Sequence, residues 1–330
     1  MKNFWEKLQR PFFVLAPMED VTDVAFRQLI AKYASPDIPR VTYTEFTSAD
    51  GLVRANDEGK RKLLKKLEYS ENERPIVAQL FSAHPEYMEQ GARLCAELGF
   101  DGFDINMGCP AREVERQGCG AALIQNPALA RELIRAAKKG AESAGRRMPV
   151  SIKTRIGYNK IITEEWISYL IEAEPDAIII HGRTMKEMSK VPAHWDEIGK
   201  AGLLCRKAGI PVIGNGDVVS YAEGLEKAKQ YDLDGIMVGR GIFRNPWIFN
   251  PSIDPATKTP QEKIELLKKH MGLFIELWGD PSTSSGQAKN FDVMKKFFKI
   301  YISGFDGAKE LRTKLMQAKN EEEFTKILSE

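Results

Sequence analysis

Short runs of β-branched and other apolar residues recur along the chain, each followed by a longer stretch with helical spacing of its apolar positions. The runs fall at 13–18, 41–46, 75–81, 102–106, 149–155, 177–182, 211–216 and 235–240. Strands alternating with helices read as parallel βαβ units, and eight of them is the number that closes a (β/α)8 TIM barrel. An open, doubly wound sheet is the alternative, but it would usually carry fewer strands and a Gly-rich turn after the first, which is absent here. Past about residue 250 the pattern changes. Asn250-Pro251-Ser252-Ile253-Asp254-Pro255 is a breaker-rich link, and from Pro260 onward helical periodicity runs without β-branched strands. The expected organisation is therefore a barrel over 1–250 and a smaller all-helical domain over 251–330, with Pro281-Ser282-Thr283-Ser284-Ser285-Gly286 as a flexible loop between helices.

Composition narrows the functional classes. No stretch approaches the roughly 20 uninterrupted apolar residues of a membrane span. The polar, mixed-charge start lacks the apolar run of a secretory signal, so a cytoplasmic protein is expected. Cys95, Cys109, Cys119 and Cys205 are too few and too scattered for a disulfide framework or a structural zinc site, and no metal is expected. The net charge of +2 does not announce a nucleic-acid binder. Local charge is more informative: within 286–319, Lys289, Lys295, Lys296, Lys299, Lys309, Arg312, Lys314 and Lys319 face only Asp292, Asp306 and Glu310, a local +5. Phe291, Phe297, Phe298, Tyr301 and Phe305 are interleaved with them. Two readings stay open for this segment, a helical bundle with a solvated basic face and an aromatic core, or a surface for a polyanion.

The ends of the strand runs carry the chemistry. Polar residues stand where six of the eight runs finish: Gln79, Asn106, Lys153 with Arg155, His181, Asn215 with Asp217, and Gly239-Arg240. In a barrel these ends open onto one face, where barrel enzymes place their active sites. Cys109, in Asn106-Met107-Gly108-Cys109-Pro110, lies just past the fourth run and should reach that face, whereas Cys95 and Cys205 fall in helical patterns as small buried residues and Cys119 sits in a tight Gly-rich loop. A thiol of ordinary pKa is mostly protonated at pH 7, which suits a proton donor; as a nucleophile it would need a base, and His181 is the one histidine at a strand end. Lys153 and Arg155 point to the same side of their strand and favour an anion, unless they are spent on Asp104 or Glu45. Asn215-Gly216-Asp217 and Gly239-Arg240-Gly241 follow the seventh and eighth runs, where barrels commonly bind phosphate through close backbone approach, an arginine and a short helix, here expected to begin near Gly241.

These residues resemble the tRNA-dihydrouridine synthases. The similarity covers residues 12 to about 250. It is carried by Ala16-Pro17-Met18 with Thr22-Asp23 and Phe26-Arg27, Gln79-Leu80, the segment Asp104 to Pro110, Gly118 with Gly120, Lys153-Thr154-Arg155, His181-Gly182-Arg183-Thr184, Asn215-Gly216-Asp217 and Gly239-Arg240. The cysteine motif is its most specific part; the rest of the chain agrees in helical, basic character with the family's tRNA-binding domain. The resemblance implies FMN held by Pro17, Met18, Gln79, Lys153, His181, Asn215, Gly216, Asp217, Gly239 and Arg240, with NADPH or NADH as reductant. It implies a flipped-out uridine held near Asn106, Lys153 and Arg155, Cys109 as the catalytic acid, tRNA as partner, and a monomer. One departure stands out: after His-Gly-Arg-Thr the family usually has an aromatic residue and a glycine where Ser189 and Val191 align, so the loop 185–192 is expected to contact substrate or flavin differently. The alternatives are a small-molecule FMN oxidoreductase of the dihydroorotate dehydrogenase type and a non-catalytic tRNA-binding barrel.

Overall fold

The computed structural model describes residues 3–143, 145, 147–279 and 289–329. Its strands are β1 (Phe12–Leu15), β2 (Arg40–Tyr43), β3 (Thr47–Ser48), β4 (Ile76–Phe81), β5 (Gly102–Met107), β6 (Val150–Arg155), β7 (Ala177–His181), β8 (Val212–Asn215) and β9 (Gly235–Val238). All pairings are parallel. β1 pairs with β2, β2 with β4, and the order then runs through β5, β6, β7 and β8 to β9, which pairs back onto β1. Eight strands thus close a (β/α)8 barrel, and the two-residue β3 is an outlying piece on β4. The first two runs end earlier than their apolar patterns. β1 stops at Leu15 because Pro17 has no N–H to continue the ladder, and residues 44–46 leave β2 before Thr47 rejoins β4.

Side-chain alternation decides what each strand contributes. On β5, Phe103, Ile105 and Met107 pack outward into the large core shared with the surrounding helices. Asp104 and Asn106 alternate with them and face the lumen, where Asp104 hydrogen-bonds across to β4 and β6. The lower lumen is apolar, filled by Val14, Val41, Val77, Ala177, Ile179, Ile213 and Met237. Trp5, from the short turn Phe4–Lys7, closes its N-terminal end against Phe12 with no exposed surface. Packing therefore seals the bottom and middle of the barrel, leaving the polar ends of the strands to line its other mouth.

The chain beyond the breaker-rich link is helical throughout the described residues, with helices Pro260–Trp278, Asp292–Tyr301, Ala308–Gln317 and Glu321–Ile327. The first begins where a capping box would place it: Thr259 accepts from Glu262 N while Glu262 reaches back to Thr259 N, and Pro260 fills the first helical position. It lies against the helix Val24–Tyr33, with His270 wedged between Phe26 and Phe297. Phe291, Phe297, Phe298 and Tyr301 are buried in this packing and Phe305 is partly so, which makes the aromatic interleaving of the basic segment a core feature. The loop Pro281 to Gly286 lies outside the described residues. Among those residues no helix is long and apolar enough to cross a membrane.

Candidate active site at the barrel mouth

The strand ends and the loops beyond them enclose a cavity of about 700 Å³. All the residues singled out from the sequence line it: Pro17, Met18, Gln79, Asn106, Cys109, Lys153, Arg155, His181, Asn215, Gly216, Asp217, Gly239 and Arg240. Ala16, Met18 and Met237 give it apolar wall. Its formal charge is strongly positive, since Lys153, Arg155, Arg183, Arg240 and Arg244 stand against the single carboxylate of Asp217, five against one.

These cations differ in how free they are. Arg183 is committed: Nη2 donates to both Asp217 oxygens at 2.6 and 2.5 Å, Nε to the Val191 carbonyl at 2.6 Å, and Nη1 meets His181 Nε2 at 3.2 Å. A guanidinium only donates, so His181 Nε2 is an acceptor and the ring is neutral with its proton on Nδ1. Burial and then the cations Arg155, Lys153, Arg183 and Arg240 hold that imidazole well below its ordinary pKa. Asp217, in the left-handed region at φ 57°, also accepts from Ala193 N at 2.8 Å. Burial pushes its carboxyl up, but the Arg183 and Ala193 hydrogen bonds outweigh this and the net shift is downward. Arg155 donates to the Gly108 carbonyl at 2.7 Å and the Thr184 carbonyl at 3.2 Å, tying the cysteine loop to the loop after β7. It forms no ion pair with Asp104 or Glu45. Lys153 has neither a hydrogen bond nor an ion pair among the described residues, and burial with the Arg155 charge lowers its pKa to about 8 against the pull of Asp104.

Cys109 is held from its backbone. Asn106 Oδ1 accepts from Gly108 N at 3.1 Å and Cys109 N at 2.9 Å, and the Cys109 carbonyl accepts from Ala121 N at 3.0 Å. Gly120 is required beneath it: its φ is 62°, and an added Cβ would stand 2.6 Å from the Cys109 carbonyl oxygen. Burial raises the Cys109 thiol, more than the Ala111 amide and the Arg155 and Lys153 charges lower it, so the group is a thiol at neutral pH. Cys119 does not line the cavity; it is 2% exposed and burial pushes it up to about 12. Cys95 and Cys205 are buried in the helices Pro85–Glu97 and Trp195–Lys207.

At the other side of the mouth, Gly239 leaves backbone open to the cavity beside Arg240 and Arg244, while Gly216 makes room for Ala193, whose Cβ lies 2.5 Å from where a Gly216 Cβ would stand. The helix expected near Gly241 is only a four-residue 3-10 turn, Arg240–Phe243. Gly241 is packed so closely that a Cβ would lie 2.0 Å from the Val218 carbonyl, which keeps the turn tight against the loop after β8. So short a turn has almost no macrodipole, leaving the two arginines as the anion-binding groups.

Sequence reasoning assigned no role to Arg183, Arg244 or Phe46, which line the cavity, whereas Met188 and Ser189, which also line it, belong to the loop 185–192 that it placed near substrate or flavin. Arg244 stands four residues after Arg240, a spacing that could have flagged it. The segment 185–192 carries Met188 and Ser189 over the mouth, with Met188 at φ 55° and 41% exposed. Glu187 pins this segment by accepting from Thr184 N at 2.7 Å and pairing with His194 Nε2 at 2.9 Å. A partly buried charge cluster stands in the loops after β1 and β2. Lys289 Nζ sits 3.2 Å from Asp23, 3.5 Å from Asp20 and 3.7 Å from Glu45, and over the Trp278 ring. The first lysine of the basic segment thus docks the helical region onto the loops after β1 and β2.

A family model described as Dihydrouridine synthase (Dus) matches residues 14–330. The chain belongs to the dihydrouridine synthase family. "Probable tRNA-dihydrouridine synthase 2" of Bacillus subtilis (strain 168) is 41% identical over 332 residues, covering 100% of this chain and 96% of the relative. "Probable tRNA-dihydrouridine synthase" of Staphylococcus aureus (strain COL) is 39% identical over 340 residues, covering 100% and 95%. The family match extends through the helical region, so this dihydrouridine synthase carries its last four helices as part of the family's own architecture.

Proposed function

We propose that this dihydrouridine synthase reduces the 5,6 double bond of uridines in tRNA, with FMN in the barrel mouth, NADPH or NADH as reductant and Cys109 as proton donor. The observation that carries the reading is a protonated, half-buried thiol fixed on the rim of a cavity whose other groups suit a flat, phosphate-bearing anion. The fit to FMN rests on three features: the five-to-one excess of cations, the backbone opened by Gly239 beside Arg240, and an apolar wall of Ala16, Met18 and Met237 for a ring. Bound there, FMN would supply the hydride for carbon six of the uracil.

The protein's own groups do the rest. Lys153, without a side-chain partner among the described residues, offers its charge to an anionic ring edge. His181 is locked neutral by Arg183 and so accepts and donates without adding a further cation. Gln79 and Asn215 contact the cofactor, and Asn106, Lys153 and Arg155 hold the uracil. Cys109 would give its proton to carbon five of the uracil and be reprotonated from solvent. To reach the cavity the uridine must leave its stack, at a cost of a few kcal/mol that contacts between tRNA and the helical region 251–330 offset. The barrel 1–250 is the catalytic unit in this scheme, and the chain works as a monomer.

The test is reconstitution. Protein stripped of small molecules is mixed with FMN, then with NADPH and tRNA lacking dihydrouridine, and the tRNA is digested and its nucleosides weighed by mass spectrometry. The proposal expects yellow protein and dihydrouridine that depends on both FMN and NADPH. Folded protein that does not retain FMN, or tRNA left unchanged, refutes it.

A further inference from the structure

Asp104 is buried at the centre of the barrel and does not line the mouth cavity, yet it begins a chain of hydrogen bonds that ends at the cysteine. Its Oδ2 accepts from Gln79 Nε2 at 2.7 Å, and its Oδ1 accepts from Ser151 Oγ at 2.6 Å. Gln79 Oε1 then accepts from Asn106 Nδ2 at 3.1 Å. Asn106 Oδ1 accepts in turn from the backbone N–H groups of Gly108 and Cys109. We propose that Asp104 is a positioning residue: its carboxylate fixes the orientation of the Gln79 and Asn106 amides, so that both turn N–H donors into the cavity and hold the Cys109 loop in register. The inference rests on the reading that the cavity takes FMN and a uracil, both of which have ring carbonyl oxygens for such donors to meet.

The orientation follows from what each end of the chain can do. Burial raises Asp104 to about 7, but the Ser151 and Gln79 hydrogen bonds favour its ionised form, which accepts only, so Gln79 presents its NH2 there and its carbonyl to Asn106. Backbone N–H groups donate only, so Asn106 must present its carbonyl to Gly108 and Cys109 and its NH2 to Gln79. The two ends demand the same polarity. Reversing either amide would set carbonyl against carboxylate or N–H against N–H, leaving buried groups unsatisfied. Each amide uses one N–H inside the chain and keeps the second, and both side chains line the cavity. One buried carboxylate thereby registers a proposed cofactor contact, a proposed substrate contact and the backbone of the proposed acid.

The experiment compares wild type, Asp104→Asn, which keeps an acceptor oxygen, and Asp104→Ala, which removes it; Asp104→Leu replaces the alanine variant if that fails to fold. FMN is titrated into the stripped protein by fluorescence, and ribose 5-phosphate, which shares the phosphate but lacks the ring, is measured by competition. The alanine variant should bind FMN at least tenfold more weakly with ribose 5-phosphate changed less than twofold, and asparagine should restore FMN to within threefold. Equal weakening for both ligands would mean a general structural role, and unchanged FMN affinity would mean an idle residue; either overturns the proposal. Side-chain amide hydrogen exchange by NMR needs no cofactor. The Gln79 and Asn106 amides should exchange at least tenfold more slowly in wild type than in the alanine or leucine variant and than the exposed Gln261 in wild type. Equal rates would also overturn the proposal. Failure of wild type itself to bind FMN would instead count against the cofactor reading and leave the exchange measurement to decide on Asp104.

Discussion

His270 gives the helical region a pH-dependent stability that can be calculated. It has no exposed surface, packs edge-on to Phe297 at 4.6 Å between ring centroids, and shares a 3.1 Å hydrogen bond with the Tyr301 hydroxyl through Nδ1. Burial lowers its pKa to about 4, with the charge of Asp23 pulling weakly the other way. A base whose folded pKa lies below its unfolded value of about 6.5 contributes stability above that value and loses it as pH falls toward the folded pKa. Between pH 7 and pH 5 the linkage relation gives a loss of about 2 kcal/mol from this residue. The assay is urea unfolding followed by circular dichroism at both pH values, for wild type and His270→Gln. Asp104, raised to about 7 mainly by burial, gains stability as pH falls, and His181 loses it, but both are present in the two proteins and cancel in the comparison. Wild type should lose about 2 kcal/mol more than the variant on acidification. Equal losses would refute the assignment of a buried, neutral His270.

Three further outcomes follow from the packing and charge of the molecule. Trp5→Ala should cost about 3–5 kcal/mol in urea unfolding, because it opens the N-terminal end of an otherwise filled lumen; a loss below about 1 kcal/mol would mean the turn is not the plug. Lys289→Met should destabilise by about 3 kcal/mol by leaving Glu45 and Asp23 without their cation, and adding Glu45→Gln should recover part of the loss; additive losses in the double variant would contradict the charge cluster. For tRNA binding, the exposed Lys299, Lys309 and Lys319 changed together to Gln should weaken affinity across all tRNA sequences and reduce the salt slope by about 2–3; an unchanged slope would leave the basic face as solvated surface.

Which parts of this were legible beforehand has a physical pattern. The barrel strands were readable because their outward faces repeat with period two and their ends carry polar residues, as in Phe103, Ile105 and Met107 set against Asp104 and Asn106. Their convergence on one cavity followed from barrel topology once the strands were counted. Other features depend on contacts distant in sequence. Trp5 sits in a turn too short to show periodicity. Lys289 reads as one cation in a basic run until Asp20, Asp23 and Glu45 are seen around it. Asp217 reads as a free acceptor beside a phosphate site until Arg183 is found to engage both its oxygens, and Arg155 as a free cation until two backbone carbonyls are found to hold it. Asp104 entered as part of a motif and as a competing partner for Lys153 and Arg155, with no positioning role, since its hydrogen bonds to Gln79 and Ser151 cross three strands.

The most direct test of the proposed chemistry is a rapid-mixing experiment on Cys109→Ala. Enzyme carrying FMN is reduced anaerobically with NADPH and mixed with tRNA lacking dihydrouridine, and flavin reoxidation is followed by its visible absorbance. Removing a general acid typically costs 10²–10⁴ in rate. Reduction by NADPH should proceed as in wild type, because the thiol takes no part in it, while reoxidation by tRNA should slow by about that factor. Cys119→Ala, altering a thiol buried away from the cavity, should reoxidise at close to the wild-type rate. Wild-type reoxidation in Cys109→Ala, or equal slowing in both variants, would contradict the assignment of Cys109 as the acid.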